Sequence, residues 1–407
     1  MNSPRVVVTG MGLVSAAGTS LSENWRRVIA GEPTAARDPA LAGCPIDFTC
    51  RAPDFEPSRY LGRRGAATAD RFTQLALVAA DEAVSEAKLR LDETDLTRFG
   101  VVIGTMSGGM TTIERQHARL LEGGSSTVSG RTMLMGMTSV AASALSIHHG
   151  LRGTCLTVST ACASGTVAIG TACQLIRSGT VDVVLAGGAD SPLTPLQVAA
   201  LDRLSALSRR NDDPGRASRP FDADRDGAVL GEGAGILLLE SESHAMARGA
   251  PQLAEIAGYG DSSDGYHIVQ PDPDGAGAQS AMRAALADAG LSPRDVDYIN
   301  AHGTSTRSSD EIECTAISAI FGDSPAVSST KGVTGHTCGA AGGLEAAYSI
   351  LALRDSCVPP TANLTDPDPS IKVDLVADQA RHAPLRAVMS NSFGIGGHNA
   401  SLVITSL

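Results

Sequence analysis

The chain has 407 residues, of which 19% are charged and 43% hydrophobic, enough to bury a large core and to exclude intrinsic disorder. Its formal charge of −12 argues against a nucleic-acid partner, because phosphate binding needs a basic face. Aromatic residues make up only 3% while glycines number 44, so the core is expected to consist of Ala, Val, Leu and Ile with backbones in close approach.

The length suits two domains or one duplicated unit. No apolar run reaches the roughly 18–20 residues of a membrane span. The start, MNSPRVVVTG, lacks the charged and apolar regions of a secretory signal. A cytoplasmic protein with no membrane partner is therefore expected. None of the eight cysteines forms a CxxC pair, so neither a metal site nor a disulfide framework is expected.

Short β-rich runs fall at residues 5–9, 100–104, 156–159, 181–186 and 235–239, with helix-like stretches at 72–87 and 165–176. This alternation predicts a parallel α/β architecture. After about residue 250 the pattern restarts, with strands at 253–258, 297–300 and 402–405 and helices at 277–290 and 342–354. The reading is two α/β halves, 1–250 and 251–407. Within the first half, the polar segment 207–220 (LSRRNDDPGRASRP) is expected to be a surface excursion. The acids and glycines of 222–233 (DADRDGAVLGEG) do not meet EF-hand spacing and read as a Gly-rich turn.

Four segments carry candidate chemistry. In TVSTACASGTVAIG a β-branched strand runs into Ala161-Cys162-Ala163 and then a small-residue helix. That places Cys162 beside a helix N-terminus, where N–H groups and the dipole lower a thiol pKa and its own amide can serve as an oxyanion donor. The segment alone leaves two readings, a nucleophile or one more buried structural cysteine. His302 follows a short strand in NAHGTSTRSSDEIE and is either a catalytic group or a surface-loop histidine bonded to a nearby acid. In SSTKGVTGHTCGAAGGLE, Lys331 and His336 precede a helix bearing Glu345, in a stretch otherwise nearly free of charge, which suits a recessed pocket. In SNSFGIGGHNA, Phe393 heads a loop whose glycines permit movement, as a gate would need, although a plain connecting loop has the same composition.

Together, in order and spacing, these segments resemble the elongating β-ketoacyl synthases of the thiolase superfamily. That family shows TAC-[AST]-SG, HGT-x-T-x-x-x-D-x-x-E, K-x-x-x-GH-x-x-G-A-A-G and NSFG-x-GG-x-N. VVVTGMG, LSRRNDDP and RPFDADRDGAVLGEGAG extend the likeness over essentially the whole chain. The resemblance implies a five-layered αβαβα thiolase-like fold from two duplicated halves. It also implies decarboxylative Claisen condensation of acyl-Cys162 with a malonyl carrier protein. His302 and His336 would stabilise the enolate oxygen, Lys331 and Glu345 would support them, and Asp310 stands at the motif's acid. The amides of Cys162 and Phe393 would hold the second oxyanion, with Phe393 as gate. Thr304 and Thr306 would contact the pantetheine arm. No cofactor of its own and no metal are implied, since the acyl carrier protein supplies the phosphopantetheine. The implied assembly is a homodimer, or a heterodimer with a chain-length-factor-like subunit.

Cys with two His separates this chain from the initiating synthases (Cys-His-Asn) and from thiolases, whose second catalytic cysteine lies in a C-x-G setting that Cys338 lacks. A non-catalytic chain-length factor is disfavoured by Cys162 itself. Where fatty-acid synthases place a bulky Ile after Gly104-Thr105-Met106, this chain has Ser107, expected to deepen a more polar acyl pocket with Met106, Met133 and Met135. Of the basic carrier-docking residues Arg63 and Arg64 remain, with Arg71, Arg203, Arg209 and Arg210 as compensation. Ile395 replaces the second Phe of the gate loop, and Val269 replaces a pantetheine-contacting Thr. These departures favour a type II polyketide or specialised-metabolite ketosynthase over a housekeeping fatty-acid enzyme.

Overall fold

The structure, a computed structural model, describes residues 4–53 and 55–407. Met1–Ser3, the head of the stretch read for a targeting signal, lie outside the described residues. Eleven strands form one hydrogen-bonded sheet: β1 (Val6–Ser15), β2 (Phe99–Gly104), β3 (Cys155–Val158), β4 (Val183–Asp190), β5 (Gly233–Ser241), β6 (Ala254–Ser263), β7 (Tyr298–Asn300), β8 (Ala326–Ser328), β9 (Asp374–Leu375), β10 (Ala387–Gly394) and β11 (His398–Thr405). The helices used below are α1 (Pro57–Thr68), α2 (Arg71–Glu86), α3 (Val140–His149), α4 (Ser164–Arg177), α5 (Pro195–Arg203), α6 (Ala276–Ala289), α7 (Arg307–Phe321) and α8 (Ala341–Asp355).

The sheet order is β9-β8-β7-β10-β11-β6-β1-β5-β4-β2-β3. From β1 outward it reads β1-β5-β4-β2-β3, and from β6 outward β6-β11-β10-β7-β8, the same order in both directions. The two runs join where Val7 and Val8 pair with Glu255 and Ala254. Helices α4 and α8 pack on strands of both runs, α2 and α3 cover the outer face of the first, and α6 and α7 stack over the second. The result is the αβαβα layering. Mixed pairing accompanies it: β2, β3 and β4 are parallel, whereas β5 runs antiparallel to β1 and β4. Among the described residues no helix is long and apolar enough to cross a membrane.

The central layer explains the small-residue composition. Helix α8 is buried from Ala341 through Leu353, so it presents apolar surface all round, as a helix enclosed on every side must. Its first turn meets strand backbone directly: a Cβ on Gly343 would lie 2.2 Å from the Gly235 carbonyl oxygen. Only glycine permits that approach. Two expectations are corrected here. Segment 207–220 is an excursion only in its middle, since Leu207, Ser208 and Ala217–Pro220 are buried. The segment headed by Phe393 is mostly hairpin rather than loop, because Ser390 to Gly394 are paired in β10 and the turn is confined to Gly394–His398.

Gly343→Ala is expected to destabilise the fold by about 1–3 kcal/mol through overpacking against backbone that cannot yield. Chemical denaturation measures it; an unchanged midpoint would show the layers can separate.

Candidate active site

After β3 the chain turns sharply into α4. Ala161 adopts the left-handed region at φ 50, uncommon for a residue with a Cβ. Ser164 holds the turn by accepting from the Thr160 amide at 2.9 Å and donating to the Ala161 carbonyl at 2.6 Å. Cys162 is thereby fixed just before the helix, 6% exposed.

His302 leaves β7 in a loop stapled by two carboxylates of α7. Glu313 accepts the amides of His302 and Gly303, each at 2.7 Å. Asp310 accepts those of Ser305 at 3.1 Å and Phe221 at 2.9 Å. His336 follows a short helical turn, with its amide donating to the Val229 carbonyl at 2.7 Å and its carbonyl accepting from Gly231 at 2.9 Å. The Lys331 ammonium donates to the His302 carbonyl at 2.5 Å and pairs with Glu345 in the buried α8.

The side chains converge. Cys162 Sγ lies 3.0 Å from His336 Nε2. The two imidazoles stand edge to face with centroids 5.3 Å apart, and Phe393 lies 6.0 Å from His302. Thr304 and Thr306 sit together, their hydroxyls 3.0 Å apart. Cys162, His302 and His336 bring donor atoms within 4.8 Å of one another. Such a spacing resembles a soft-metal set, but the neighbouring Lys331 ammonium opposes a divalent cation there.

Burial dominates the electrostatics. It pushes the Cys162 thiol up to about 11, with the Lys331 charge working the other way. It drives His336 down to about 3, assisted by Lys331, and His302 well below its usual value for the same reasons. Burial lifts Glu345 to about 7 against the pull of Lys331. The resting site therefore holds a neutral thiol and two neutral imidazoles. Burial thus raises the thiol where a lowered pKa is expected from the sequence, and Lys331 and the nearby amides offset only part of that rise.

Further corrections follow from geometry. The amide directed at Cys162 Sγ is that of Ile395, not Phe393. Phe393 is still paired with Asn399, and the chain reaches the sulfur only in the turn beyond it. Gly394 makes that approach feasible, since a Cβ there would lie 2.9 Å from the Thr160 oxygen and 3.1 Å from the Cys162 nitrogen. Met133 is 72% exposed on the chain's surface. Met135 is buried but borders a separate hollow of about 200 Å³ with Gln74 and Thr111. Ser107 donates to Gln197 of α5 at 2.7 Å, so a partner from another helix answers its hydroxyl. Arg63 and Arg64 stand exposed on α1. Arg71 is consumed by Glu232 at 2.6 Å and Arg209 by Asp202 at 2.9 Å. Arg210 is engaged by Asp226 at 3.4 Å, while Arg203 is exposed.

Two supporting carboxylates carry no clear signal in the sequence. Glu313 closes the His302 motif, whose pattern assigns it no role. Asp190, at the end of an apolar strand, accepts the amides of Met106, Ser107 and Gly339 at 2.6, 3.1 and 2.8 Å and ties the turn after β2 to the segment after His336. An acid closing a run of buried aliphatics was its only signal.

Comparison with known proteins follows the same lines. The family model described as Beta-ketoacyl synthase, N-terminal domain, matches residues 3–245, and that described as Beta-ketoacyl synthase, C-terminal domain, matches 253–365. A 3-oxoacyl-acyl-carrier-protein synthase 2 of Coxiella burnetii is 41% identical over 412 residues, covering 100% of this chain and 99% of the relative. One from Synechocystis is 42% identical over 409 residues, covering 99% and 98%. Among solved structures, the ishigamide ketosynthase/chain length factor superimposes with TM-score 0.94 at 34% identity, covering 100% of both chains. A type II PKS acyl-carrier protein in complex with its ketosynthase matches with TM-score 0.92 at 32% identity, again over 100% of both.

With a thiol at about 11, alkylation of Cys162 should accelerate about tenfold per pH unit from pH 7 to pH 10, because only the thiolate reacts and its fraction grows until the pKa is passed. A rate already level at neutral pH would show that the helix start prevails over burial.

Proposed function

The chain belongs to the β-ketoacyl synthase family, and from that premise we propose that it elongates carrier-bound acyl chains through Cys162, His302 and His336. The observation that carries this assignment is the contact of Cys162 Sγ with His336 Nε2 at 3.0 Å beside a second buried imidazole.

Acyl transfer comes first. The Cys162 sulfur attacks the acyl thioester on the carrier's phosphopantetheine, forming a new S–C bond as the carrier S–C bond breaks. The Cys162 proton leaves with the carrier thiol. Malonyl carrier protein then loses CO₂, and the electron pair of the broken C–C bond passes into an enolate. His302 and His336, neutral through burial, each offer one N–H to its oxygen without acting as acids. The enolate carbon attacks the Cys162 thioester, whose oxygen is received by the amides of Cys162 and Ile395. Collapse breaks the C–S bond, and the sulfur takes up a proton. Lys331, with Glu345, positions His302 through its carbonyl; Glu313 and Asp310 fix the loop, and Thr304 and Thr306 receive the pantetheine arm. The chain needs no cofactor of its own, since the carrier supplies the reactive arm, and works in the cytoplasm.

We assign the enzyme to a type II polyketide or specialised-metabolite system. In support, Ser107 and Gln197 form a hydrogen-bonded polar pair at the position where the family's acyl pocket ends. Edge strand β3, with Leu156 42% exposed, and the exposed Met133 and Leu134 provide a face for a second subunit, identical or chain-length-factor-like. Residues 1–250 and 251–407 are read as duplicated halves. The 41% and 42% identical relatives favour the second reading, a housekeeping fatty-acid synthase.

Cys162→Ala should abolish acyl loading by intact-mass measurement. His302→Ala and His336→Ala should still load but condense about 10²–10³-fold more slowly; normal condensation would remove the enolate role. A ladder of acyl carriers separates the pathways. Ser107→Phe should shorten the chains accepted, and Gln197→Leu should selectively lower turnover of keto-bearing chains. If saturated chains are preferred by the parent and Gln197→Leu changes nothing, the housekeeping reading stands.

A further inference from the structure

Outside the catalytic cluster, one other group of ligand-type side chains converges among the described residues. Asp81 in the middle of α2 faces His148 and His149, the last residues of α3. Their donor atoms all lie within 4.8 Å of one another. Asp81 Oδ1 is 2.9 Å from His148 Nε2 and 3.5 Å from His149 Nε2. The imidazoles are not stacked: their centroids are 4.7 Å apart with planes at 79°, so the rings meet edge to face while both Nε2 atoms approach one oxygen.

An ordinary ion pair at a helix C-terminus accounts for half of this arrangement. His148 makes a hydrogen bond to Asp81 and is 44% exposed in its side chain. His149 is different. Its side chain is only 7% exposed, and its Nε2 is buried without a hydrogen-bond partner while aimed at the same carboxylate. Buried polar atoms are ordinarily satisfied. A tetrahedral ion with bonds of about 2.0–2.1 Å separates adjacent ligand atoms by about 3.3–3.5 Å. The 2.9 and 3.5 Å separations bracket that spacing, so small side-chain shifts would admit an ion.

We propose that Asp81, His148 and His149 form a binding site for Zn²⁺ or a similar borderline divalent cation, clipping the end of α3 to the middle of α2. Two imidazoles and one carboxylate suit zinc, leaving a fourth position for water, and do not suit Mg²⁺ or Ca²⁺, which take oxygen ligands. From His149 the chain passes through residues 150–154 into β3, so the clip would fasten the outer helix that leads to the edge strand. It plays no part in the condensation.

The test uses the full-length chain stripped with chelator and carrying Cys162→Ala, which removes the other three-donor cluster. Zn²⁺ binding is measured by equilibrium dialysis with metal counting, beside the same chain with His149→Ala or Asp81→Asn added. The expected result is one Zn²⁺ per chain and a Zn²⁺-dependent rise in Tm. In both variants the affinity should fall by at least the roughly 10–100-fold that loss of an outer-shell partner alone costs, and Mg²⁺ should not bind. Asp81 is 43% exposed in its side chain, so its variant reports on the site even if His149→Ala folds poorly. No Zn²⁺ bound by the parent, or binding unchanged in Asp81→Asn, overturns the proposal.

Discussion

A buried ammonium is the constraint on which the site depends. Lys331 is 1% exposed and divides its donors between the carbonyl of His302 and the carboxylate of Glu345. Removing one member of such a pair leaves an uncompensated charge away from water, a loss of about 3–5 kcal/mol. The Lys331 ammonium is also the chief local charge acting on the reacting groups. It helps hold both imidazoles neutral and resists the rise that burial imposes on the thiol. Glu345 reaches this position from a helix enclosed between the two runs of the sheet, so the chemistry of the site is tied to the layering.

Around that pair, buried carboxylates accept backbone amides instead of substrate. Glu313 and Asp310 hold the His302 loop, and Asp190 joins the turn after β2 to the segment following His336. Fixed dipoles of this kind need no rearrangement as charge develops, which is the physical basis of electrostatic catalysis. Cys162 and Asp190 come from the first run of strands, whereas His302, Lys331, His336 and Ile395 come from the second or the loops between its strands. The site exists only where the two meet.

Much of this was legible in the sequence because apolar runs and small-residue helices report burial directly. Boundaries were not. Strand β1 was expected to end near Thr9 but continues to Ser15, since Gly10 and Gly12 lie against the carbonyls of Ala83 and Ala79 instead of breaking the strand. Residue types at the site followed from motif spacing, while their electrostatics did not. Whether a helix start or desolvation governs Cys162 depends on how much protein covers the sulfur. Likewise the amide at the sulfur depends on where the β10–β11 hairpin turns, which moves it from Phe393 to Ile395. Arg71 read as a free docking charge because its partner Glu232 is distant in sequence.

The most direct measurement is a single turnover by the purified wild-type chain, followed by intact-mass spectrometry. The account predicts that an acyl carrier protein transfers its acyl group to Cys162. Adding malonyl carrier protein should then clear that mass as CO₂ and a chain two carbons longer appear on the carrier. A chain that never carries the acyl mass, or that carries it on a residue other than Cys162, would contradict it.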